Sequence, residues 1–274
     1  MTTLIDKTVL VTGGAQGIGK GLARAVLKAG ARAVIVNQDE AIAAASVAEL
    51  SELGPIRSRR CDVSERAQID ALLDDIWATE GPVDLIFCNA GYGGSAPLLD
   101  VPMADVERMF AVNYFSMLHL TQSYVPRVKQ AGASGHIMFT GSENSLVMPD
   151  YIGEMDMGIY AATKHAMLVT AEWLRHELRD TGVGVSVLLP GPVKTERLAA
   201  TFEAMAATPA ADWALPEAPA RAIAERFITP DECAAIALQG WREGLFYIPA
   251  HGYIREDLER RREELQQAFT TLGL

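Results

Sequence analysis

The chain has 274 residues, of which 49% are hydrophobic and 22% are charged, and its formal net charge is −11 at pH 7. This length and hydrophobic content are enough for one large α/β core, so we expect a single domain over residues 1–274. The negative charge disfavours binding to nucleic acid or to an anionic membrane surface.

The sequence also indicates the cellular compartment and whether the chain binds a metal ion. No stretch is apolar for long enough to span a membrane, and the first four residues lead into a strand without a signal peptide. The three cysteines, Cys61, Cys88 and Cys233, lack metal-binding spacing, and the five histidines form no ligand motif. We therefore expect no metal, and a cytoplasmic protein with buried thiols at Cys61 and Cys88.

Short apolar runs alternate with longer periodic segments along the chain. Strands are predicted at 7–12, 32–37, 56–61, 83–88, 135–140, 184–189 and 245–249. Helices are predicted at 17–29, 39–53, 65–80, 103–131, 158–181 and 230–243. Continuous apolar strands separated by helices predict an α/β fold with a doubly wound parallel sheet (Rossmann fold), about seven strands flanked by helices. Ligands of such sheets bind at the carboxyl ends of the strands.

Two stretches interrupt this alternation. Residues 196–228 are rich in Ala, Pro and Met and have weak periodicity, which is typical of a substrate flap or of a plain surface excursion. Residues 254–272 predict a highly charged helix that docks on its own chain or on a neighbouring subunit. Its partial apolar stripe consists of Ile254, Leu258, Leu265 and Phe269.

Tyr160 and Lys164 are four residues apart in a segment with helical periodicity. On a helix, the two side chains lie on one face. An ammonium beside a phenol favours the phenolate, which makes the phenol a useful acid or base near neutral pH. Such a phenol can give a proton to a carbonyl oxygen or take one from an alcohol. An exposed Tyr and a solvated Lys would show the same spacing, so the pair needs further support.

Three glycines, Gly13, Gly17 and Gly19, lie between the first predicted strand and the first predicted helix. At this junction the fold needs a tight turn and a close approach of the backbone to its ligand. The amides at the start of the helix can then bind a pyrophosphate. The pattern predicts a dinucleotide site, although a glycine triplet can also be only a turn.

Taken in order, these motifs resemble those of the short-chain dehydrogenase/reductase family. The matching segments are Thr12-Gly13-x-x-x-Gly17-x-Gly19, Asn89-Ala90-Gly91, Asn113, Ser142, Tyr160-x-x-x-Lys164 and Pro190-Gly191-x-Val193-x-Thr195. They cover residues 5 to about 250. The resemblance implies an oxidoreductase that transfers a hydride between a nicotinamide cofactor and a secondary alcohol or ketone.

The resemblance also implies catalytic roles for four residues. Tyr160 would be the general acid/base, and Lys164 would favour its phenolate and hold the nicotinamide ribose. Ser142 would polarise and orient the substrate oxygen, with Ser145 as a fallback. Asn113 would anchor a water molecule that links Lys164 to solvent.

The residues implied to bind the cofactor extend from the glycine loop to the segment after the sixth predicted strand. Asp62 and Val63 would hold the adenine, and Asn89 would stabilise the central strand, although an Asn in this place can also only cap a turn. The full set is Gly13, Gln16, Gly17, Ile18, Gly19, Asn37, Asp62, Val63, Asn89, Ala90, Gly91, Tyr160, Lys164, Pro190, Gly191, Val193 and Thr195.

The choice between NAD and NADP depends on the end of the second strand. NAD-preferring members of the family usually carry an Asp there, and this chain has Asn37. NADP-preferring members usually have Arg or Lys in the glycine loop or just after the strand. This chain has Gln16 and Gln38 there, followed by Asp39 and Glu40. We therefore predict NAD, with NADP as the alternative.

One interval departs from the family pattern, because Ser142 and Tyr160 are several residues further apart than is usual. The surplus at about 151–157 either bulges away or adds a wall to the substrate pocket, and the wall is favoured. Tyr92, Glu143 and Met155 are predicted to contact the substrate. That mix suggests a medium-sized, partly apolar secondary alcohol or ketone.

Two other functions stay open. An NADPH-dependent ketoreductase of the 3-oxoacyl or polyketide kind would be expected to have basic residues near Gln16 or Gln38, and these are absent. A nucleotide-sensing protein without catalysis typically lacks the Tyr or the Lys of the pair, and this chain has both. Whichever function applies, the resemblance implies a homotetramer or homodimer formed through the helices at 103–131 and 158–181.

Overall fold

Seven parallel strands form the central sheet of the protein, seen in a computed structural model that describes residues 3–149, 152, 155–196, 198 and 226–274. The strands are β1 (Thr8–Thr12), β2 (Arg32–Asn37), β3 (Ile56–Arg60), β4 (Leu85–Cys88), β5 (Gly135–Thr140), β6 (Val183–Leu189) and β7 (Tyr247–Pro249). Their order across the sheet is β3-β2-β1-β4-β5-β6-β7, and all neighbours are parallel. The order reverses between β1 and β4, where ligands of doubly wound sheets bind. The predicted fold class is confirmed.

Helices connect the strands and cover both faces of the sheet. They are α1 (Gly17–Lys28), α2 (Glu40–Leu50), α3 (Arg66–Thr79), α4 (Met103–Phe110), α5 (Ser116–Gln130), α6 (Gly158–Glu177), α7 (Pro230–Arg242) and α8 (Ile254–Leu272). Short 3₁₀ turns occur at Ser51–Leu53 and Glu143–Ser145. None of the helices among the described residues is long and apolar enough to cross a membrane.

The predicted helix at 103–131 is not regular throughout, which corrects the sequence prediction. A π-helical segment, Ala111–Phe115, lies between α4 and α5. Such π-helical segments are rare, and the periodicity behind the prediction assumes regular α-helical spacing throughout. The helix predicted at 158–181 ends earlier, at Glu177.

The core lies in two layers, one on each face of the sheet. Val9 and Val11 of β1 pack toward α1 and α7, whereas Leu10 packs toward α3, α5 and α6. Because both faces are covered, every β1 side chain is buried, which explains the continuous apolar runs in the sequence. The thiols of Cys61, Cys88 and Cys233 are free and buried in these layers.

The two ends of the predicted 196–228 flap lie side by side. Val193 forms a parallel bridge with Ile228, and the Lys194 amide donates to the Ile228 carbonyl oxygen at 2.9 Å. Most of the stretch lies outside the described residues, so the flap stays a prediction. Thr229 and Glu232 then form a capping box that starts α7.

The C-terminal helix α8 docks on its own chain mainly through its first turn. Ile254 is buried, whereas Leu265 and Phe269 are 55% and 49% exposed. Arg261 donates to the main-chain oxygen of Leu146, which ties α8 to the loop after β5. The predicted apolar stripe is therefore only partly covered by the described part of this chain.

Candidate active site

A cleft of about 650 Å³ lies at the carboxyl ends of the strands, between the start of α1 and the start of α6. Most of the residues predicted for the site line it: Gly13, Gln16, Gly17, Ile18, Asn37, Asn89, Ala90, Gly91, Tyr92, Ser142, Met155, Tyr160, Lys164, Pro190, Gly191, Val193 and Thr195. Five predicted residues are not part of this lining: Gly19, Asp62, Val63, Asn113 and Glu143. Fold topology thus brings six separate segments of the sequence to one crevice.

The glycine loop is a tight turn that favours glycine at more than one position. Gly13 has a φ of 63°, in the left-handed region. A Cβ on Gly19 would lie 2.1 Å from the Gly13 carbonyl oxygen. Gly19 therefore allows the loop and α1 to pack closely, which explains why it does not line the cleft.

The start of α1 already binds an anion of the chain itself. The Gly17 amide donates to the Glu196 carboxylate at 2.9 Å. This carboxylate stands in for an anionic ligand at the helix N-terminus, where the partial positive charge favours one. The site thus fits a pyrophosphate. Sequence reasoning missed Glu196, whose only signal was its place directly after Thr195.

Asn89 joins the ends of three neighbouring strands. Its amide nitrogen Nδ2 donates to the Thr12 carbonyl oxygen at 3.1 Å, and its Oδ1 accepts from the Thr140 hydroxyl at 3.2 Å. The Thr12 hydroxyl oxygen in turn accepts from the main-chain amides of Asn89 and Ala90. Asn89 thus has a clear structural role at the cleft floor, in addition to lining the cleft.

Beside the cleft residue Asn37 lies a basic residue, Arg60, that sequence reasoning missed. Arg60 of β3 pairs in register with Asn37 of β2 and is exposed. Asp39 is turned away, because its carboxylate accepts from the amides of Ala41 and Ile42 and caps α2. Only the register between β2 and β3, which the sequence does not display, brings Arg60 beside Asn37.

Asp62, predicted to hold the adenine, is bound to its own turn instead of lining the cleft. Its carboxylate accepts from the Ser64 amide at 2.9 Å and from the Ser64 hydroxyl at 2.6 Å. Its own amide donates to the Gln68 side chain at 2.8 Å. These contacts fix the turn after β3, and any contact with adenine stays a prediction.

Tyr160 and Lys164 lie one turn apart on α6 and both face the cleft. Lys164 is only 3% exposed. Its Nζ donates to the Thr140 carbonyl oxygen at 2.8 Å and lies 5.6 Å from the centre of the Tyr160 ring. Burial lowers the pKa of Lys164 to about 8. The predicted pair is therefore not a solvated surface pair.

Ser142, and not Ser145, is the serine at the cleft. Both belong to a capping box: the Ser142 hydroxyl accepts from the Asn144 amide at 3.2 Å, and the Ser145 hydroxyl accepts from the Ser142 amide at 3.1 Å. Ser142 lines the cleft, whereas Ser145 does not and is 2% exposed. The geometry thus favours Ser142 as the group that meets a substrate oxygen.

Asn113 lies in the π-helical segment and holds the loop after β4. Its side chain accepts from the Tyr92 amide at 2.7 Å and donates to the Tyr92 carbonyl oxygen at 2.8 Å. It also donates to the Thr163 hydroxyl at 3.0 Å, which links the loop to α6. Asn113 therefore positions Tyr92 against the Tyr160 helix, and the predicted water-anchoring role stays a prediction.

Two of the three predicted substrate contacts line the cleft. Tyr92 and Met155 do so, together with Met157, which sequence reasoning missed. The segment 155–157 is tied to the loop after β4, because the Ser95 hydroxyl donates to the Met155 carbonyl oxygen at 2.5 Å. The surplus residues before Tyr160 thus form a wall of the cleft at their described end.

Glu143 is not placed where the sequence analysis expected it. It is 3% exposed, and its carboxylate accepts from the Tyr253 hydroxyl instead of facing the cleft. The residues next to Glu143 gave no indication of this, because its partner Tyr253 lies 110 residues further along the chain.

A family model for short chain dehydrogenases matches residues 7–206 of the sequence. This chain belongs to the short-chain dehydrogenase family. The predicted family is confirmed, and the protein is accordingly an NAD(P)-dependent oxidoreductase that acts on CH–OH groups.

Two dehydrogenases match about 70% of this chain. The chain is 35% identical over 195 residues to 1-deoxy-11-beta-hydroxypentalenate dehydrogenase of Streptomyces avermitilis. The matched region covers 70% of each chain. The chain is 31% identical over 198 residues to 7alpha-hydroxysteroid dehydrogenase of Escherichia coli K12. This match covers 71% of this chain and 74% of the relative.

Solved structures of short-chain dehydrogenases match nearly the whole chain. One from Burkholderia phymatum in complex with NAD has a TM-score of 0.82 at 28% identity and covers 98% of this chain and 97% of its own. One from Sphingobium yanoikuyae in complex with NADPH has a TM-score of 0.73 at 25% identity and covers 95% of each chain.

Proposed function

We propose that this short-chain dehydrogenase interconverts a medium-sized, partly apolar secondary alcohol and its ketone, with NAD favoured over NADP. One observation carries the proposal. The buried Lys164 ammonium lies beside the Tyr160 ring, in a cleft that continues to the anion-binding amide of Gly17.

The side chains at the α6 end of the cleft would handle the proton. Tyr160 takes the hydroxyl proton of the alcohol on its phenol oxygen, and returns it to the carbonyl oxygen in the reverse direction. The Lys164 ammonium favours the phenolate that accepts this proton. The Ser142 hydroxyl orients the substrate oxygen toward Tyr160. A bound nicotinamide would supply the hydride acceptor or donor.

The cofactor would be held along the cleft by residues of the chain in their present places. The Gly17 amide would bind the pyrophosphate, and Pro190 and Gly191 would lie at the nicotinamide end. The neutral side chains of Gln16 and Asn37 in the lining support NAD, whereas Arg60 beside Asn37 is a feature that favours NADP. Measured kcat/KM for both cofactors tests this proposal, and a clear preference for NADP would overturn it.

The wall of the cleft supports this substrate class. Tyr92, Met155 and Met157 give it an aromatic and thioether surface, which suits an apolar body next to the reacting oxygen. The relatives' names, a hydroxypentalenate and a hydroxysteroid dehydrogenase, support an alicyclic secondary alcohol for this chain too.

A panel of alicyclic, aromatic and acyl-carrier substrates tests the proposal, with turnover followed by the absorbance of the reduced nicotinamide. We expect turnover of alicyclic or aromatic secondary alcohols with NAD. Turnover of 3-oxoacyl thioesters with NADPH instead would support the ketoreductase alternative. Cofactor binding without any turnover would support a nucleotide sensor.

Assembly is the last part of the proposal. Val169 and Trp173 on α6 are 62% and 64% exposed, which suits the expected contact between subunits of a homodimer or homotetramer. Light scattering of the purified protein tests this, and a monomer at micromolar concentration would contradict it. A cytoplasmic location stays an expectation.

A further inference from the structure

The buried carboxyl group of Glu143, the residue after Ser142, meets the phenol of Tyr253, which lies close to the C-terminal helix. The Tyr253 hydroxyl donates to Glu143 Oε2 at 2.5 Å, and Glu143 is 3% exposed. Burying a carboxyl group is costly unless it is hydrogen-bonded. Glu143 is not part of the cleft lining, so a contact with substrate does not explain its burial.

The pair packs directly under the cleft wall. A Cβ on Gly191 would lie 2.4 Å from the Tyr253 hydroxyl oxygen and 2.6 Å from Glu143 Oε2. No side chain fits between this wall and the pair. Any movement of Glu143 or Tyr253 is therefore transmitted to the main chain at Gly191.

The segment Pro190–Gly191 depends on such contacts, because β6 ends one residue earlier, at Leu189. The Glu143 amide donates to the Pro190 carbonyl oxygen at 2.9 Å. The Gly191 amide donates to His251 Nδ1 at 2.9 Å. Residues from two other parts of the chain thus hold this segment in place.

Two further charged groups face the pair. The Arg226 guanidinium lies 4.2 Å from the centre of the Tyr253 ring, and its carbonyl oxygen is 3.0 Å from His251 Nε2. The second charged group is the carboxylate of Asp257 in α8. Burial raises the pKa of Glu143 to about 7. The hydrogen bond from Tyr253 and the charge of Arg226 lower this pKa, and the charge of Asp257 raises it.

We propose that Glu143 and Tyr253 are a positioning pair that sets the Pro190–Gly191 segment at the nicotinamide end of the cleft. The pair links the residue before α8 to the loop after β5 that carries Ser142. Glu143 acts through the main chain and not by touching substrate. This inference rests on the proposed function, because it requires a nicotinamide at that end.

The test compares two ligands on the full-length protein: NADH, and ADP-ribose, which lacks the nicotinamide. The variants are Glu143→Gln, Tyr253→Phe and the double variant, and titration calorimetry gives Kd for each ligand. We expect NADH binding to weaken about fivefold to tenfold in each single variant, which is the net effect of one ordinary hydrogen bond. ADP-ribose binding should not change, and the double variant should lose no more than the larger single loss, because the two residues act as one unit.

The pH dependence gives a readout that a merely structural role would not move. An ionised Glu143 accepts a stronger, charge-assisted hydrogen bond than a protonated one. The NADH affinity of the wild-type protein should therefore increase as the pH rises through about 7, and that of Glu143→Gln should not show this step.

The chain offers a matched control pair. The Tyr247 hydroxyl donates to Glu172 Oε1 at 2.6 Å, at an exposed site outside the cleft lining. Glu172→Gln and Tyr247→Phe should leave both affinities unchanged. Unchanged NADH binding in the Glu143 and Tyr253 variants, or an equal loss for both ligands, would overturn the inference alone. Failure of the wild-type protein to bind either ligand would overturn the proposed function and the inference together.

Discussion

At the α6 end of the cleft a buried ammonium has a carbonyl oxygen as its partner, whereas at the α1 end a helix amide is paired with a carboxylate. Lys164 donates to the Thr140 carbonyl oxygen, and no carboxylate pairs with it in the described part of the chain. Gly17 donates to the Glu196 carboxylate. The first end carries an uncompensated charge, and the second end is already satisfied.

This difference indicates what each end contributes. Burying an ammonium without a counter-ion destabilises the fold, so Lys164 is expected to be kept for chemistry. The α1 end gains a bond in the free protein that an anionic ligand must displace. Changes at the α6 end should therefore alter turnover and the pH dependence of stability, and changes at the α1 end should alter affinity.

The largest effect is expected for Tyr160→Phe, which removes the group that moves the proton. Loss of a general acid/base should lower kcat about a hundredfold to ten-thousandfold. The Kd for NADH should stay the same, because the ring is retained. Steady-state kinetics and calorimetry measure the two quantities. Tyr247→Phe, at an exposed phenol outside the cleft lining, is the control, and substantial turnover by Tyr160→Phe would refute the assignment of the acid/base.

Lys164→Met should separate stability from activity. Burial holds the pKa of Lys164 at about 8, below the ordinary value of 10.5. Between these values the unfolded chain binds more protons than the folded protein, so wild-type stability rises with pH through this window. Relative to Lys164→Met, the wild-type free energy of unfolding should rise by at most about 3 kcal/mol, while kcat of the variant stays low.

Urea unfolding of both proteins at neutral and at alkaline pH measures this difference. Lys129→Met, which removes an exposed lysine of α5, is the control and should show no pH-dependent difference from the wild type. A constant difference between wild type and Lys164→Met at all pH values would show that Lys164 does not titrate in this window.

The sequence was sufficient for features that depend on local pattern. β2 was predicted at 32–37 and lies at Arg32–Asn37, because a strand buried on both faces gives a continuous apolar run. The Tyr160–Lys164 pair followed from the four-residue spacing of a helix face. Both features need only neighbouring residues for their prediction.

Features set by tertiary contact were not predictable in this way. Glu196 contacts Gly17 and Glu143 contacts Tyr253 although the partners are 179 and 110 residues apart in the sequence. Arg60 lies beside Asn37 only because of the register between two strands. No local periodicity encodes such pairs, so the sequence analysis placed Glu143 in the substrate pocket and left Glu196 and Arg60 out of the site.

The smallest effect is expected at the α1 end, for Glu196→Gln. A neutral amide competes less well than a carboxylate for the Gly17 amide, so NADH affinity should rise about twofold to fivefold, the range of a charge at a helix N-terminus. Glu263→Gln, which removes an equal charge from the exposed part of α8, should leave affinity unchanged. Calorimetric Kd values decide the matter. Weaker NADH binding by Glu196→Gln would mean that Glu196 assists the bound cofactor, and the proposed exchange of one anion for another at α1 would then be wrong.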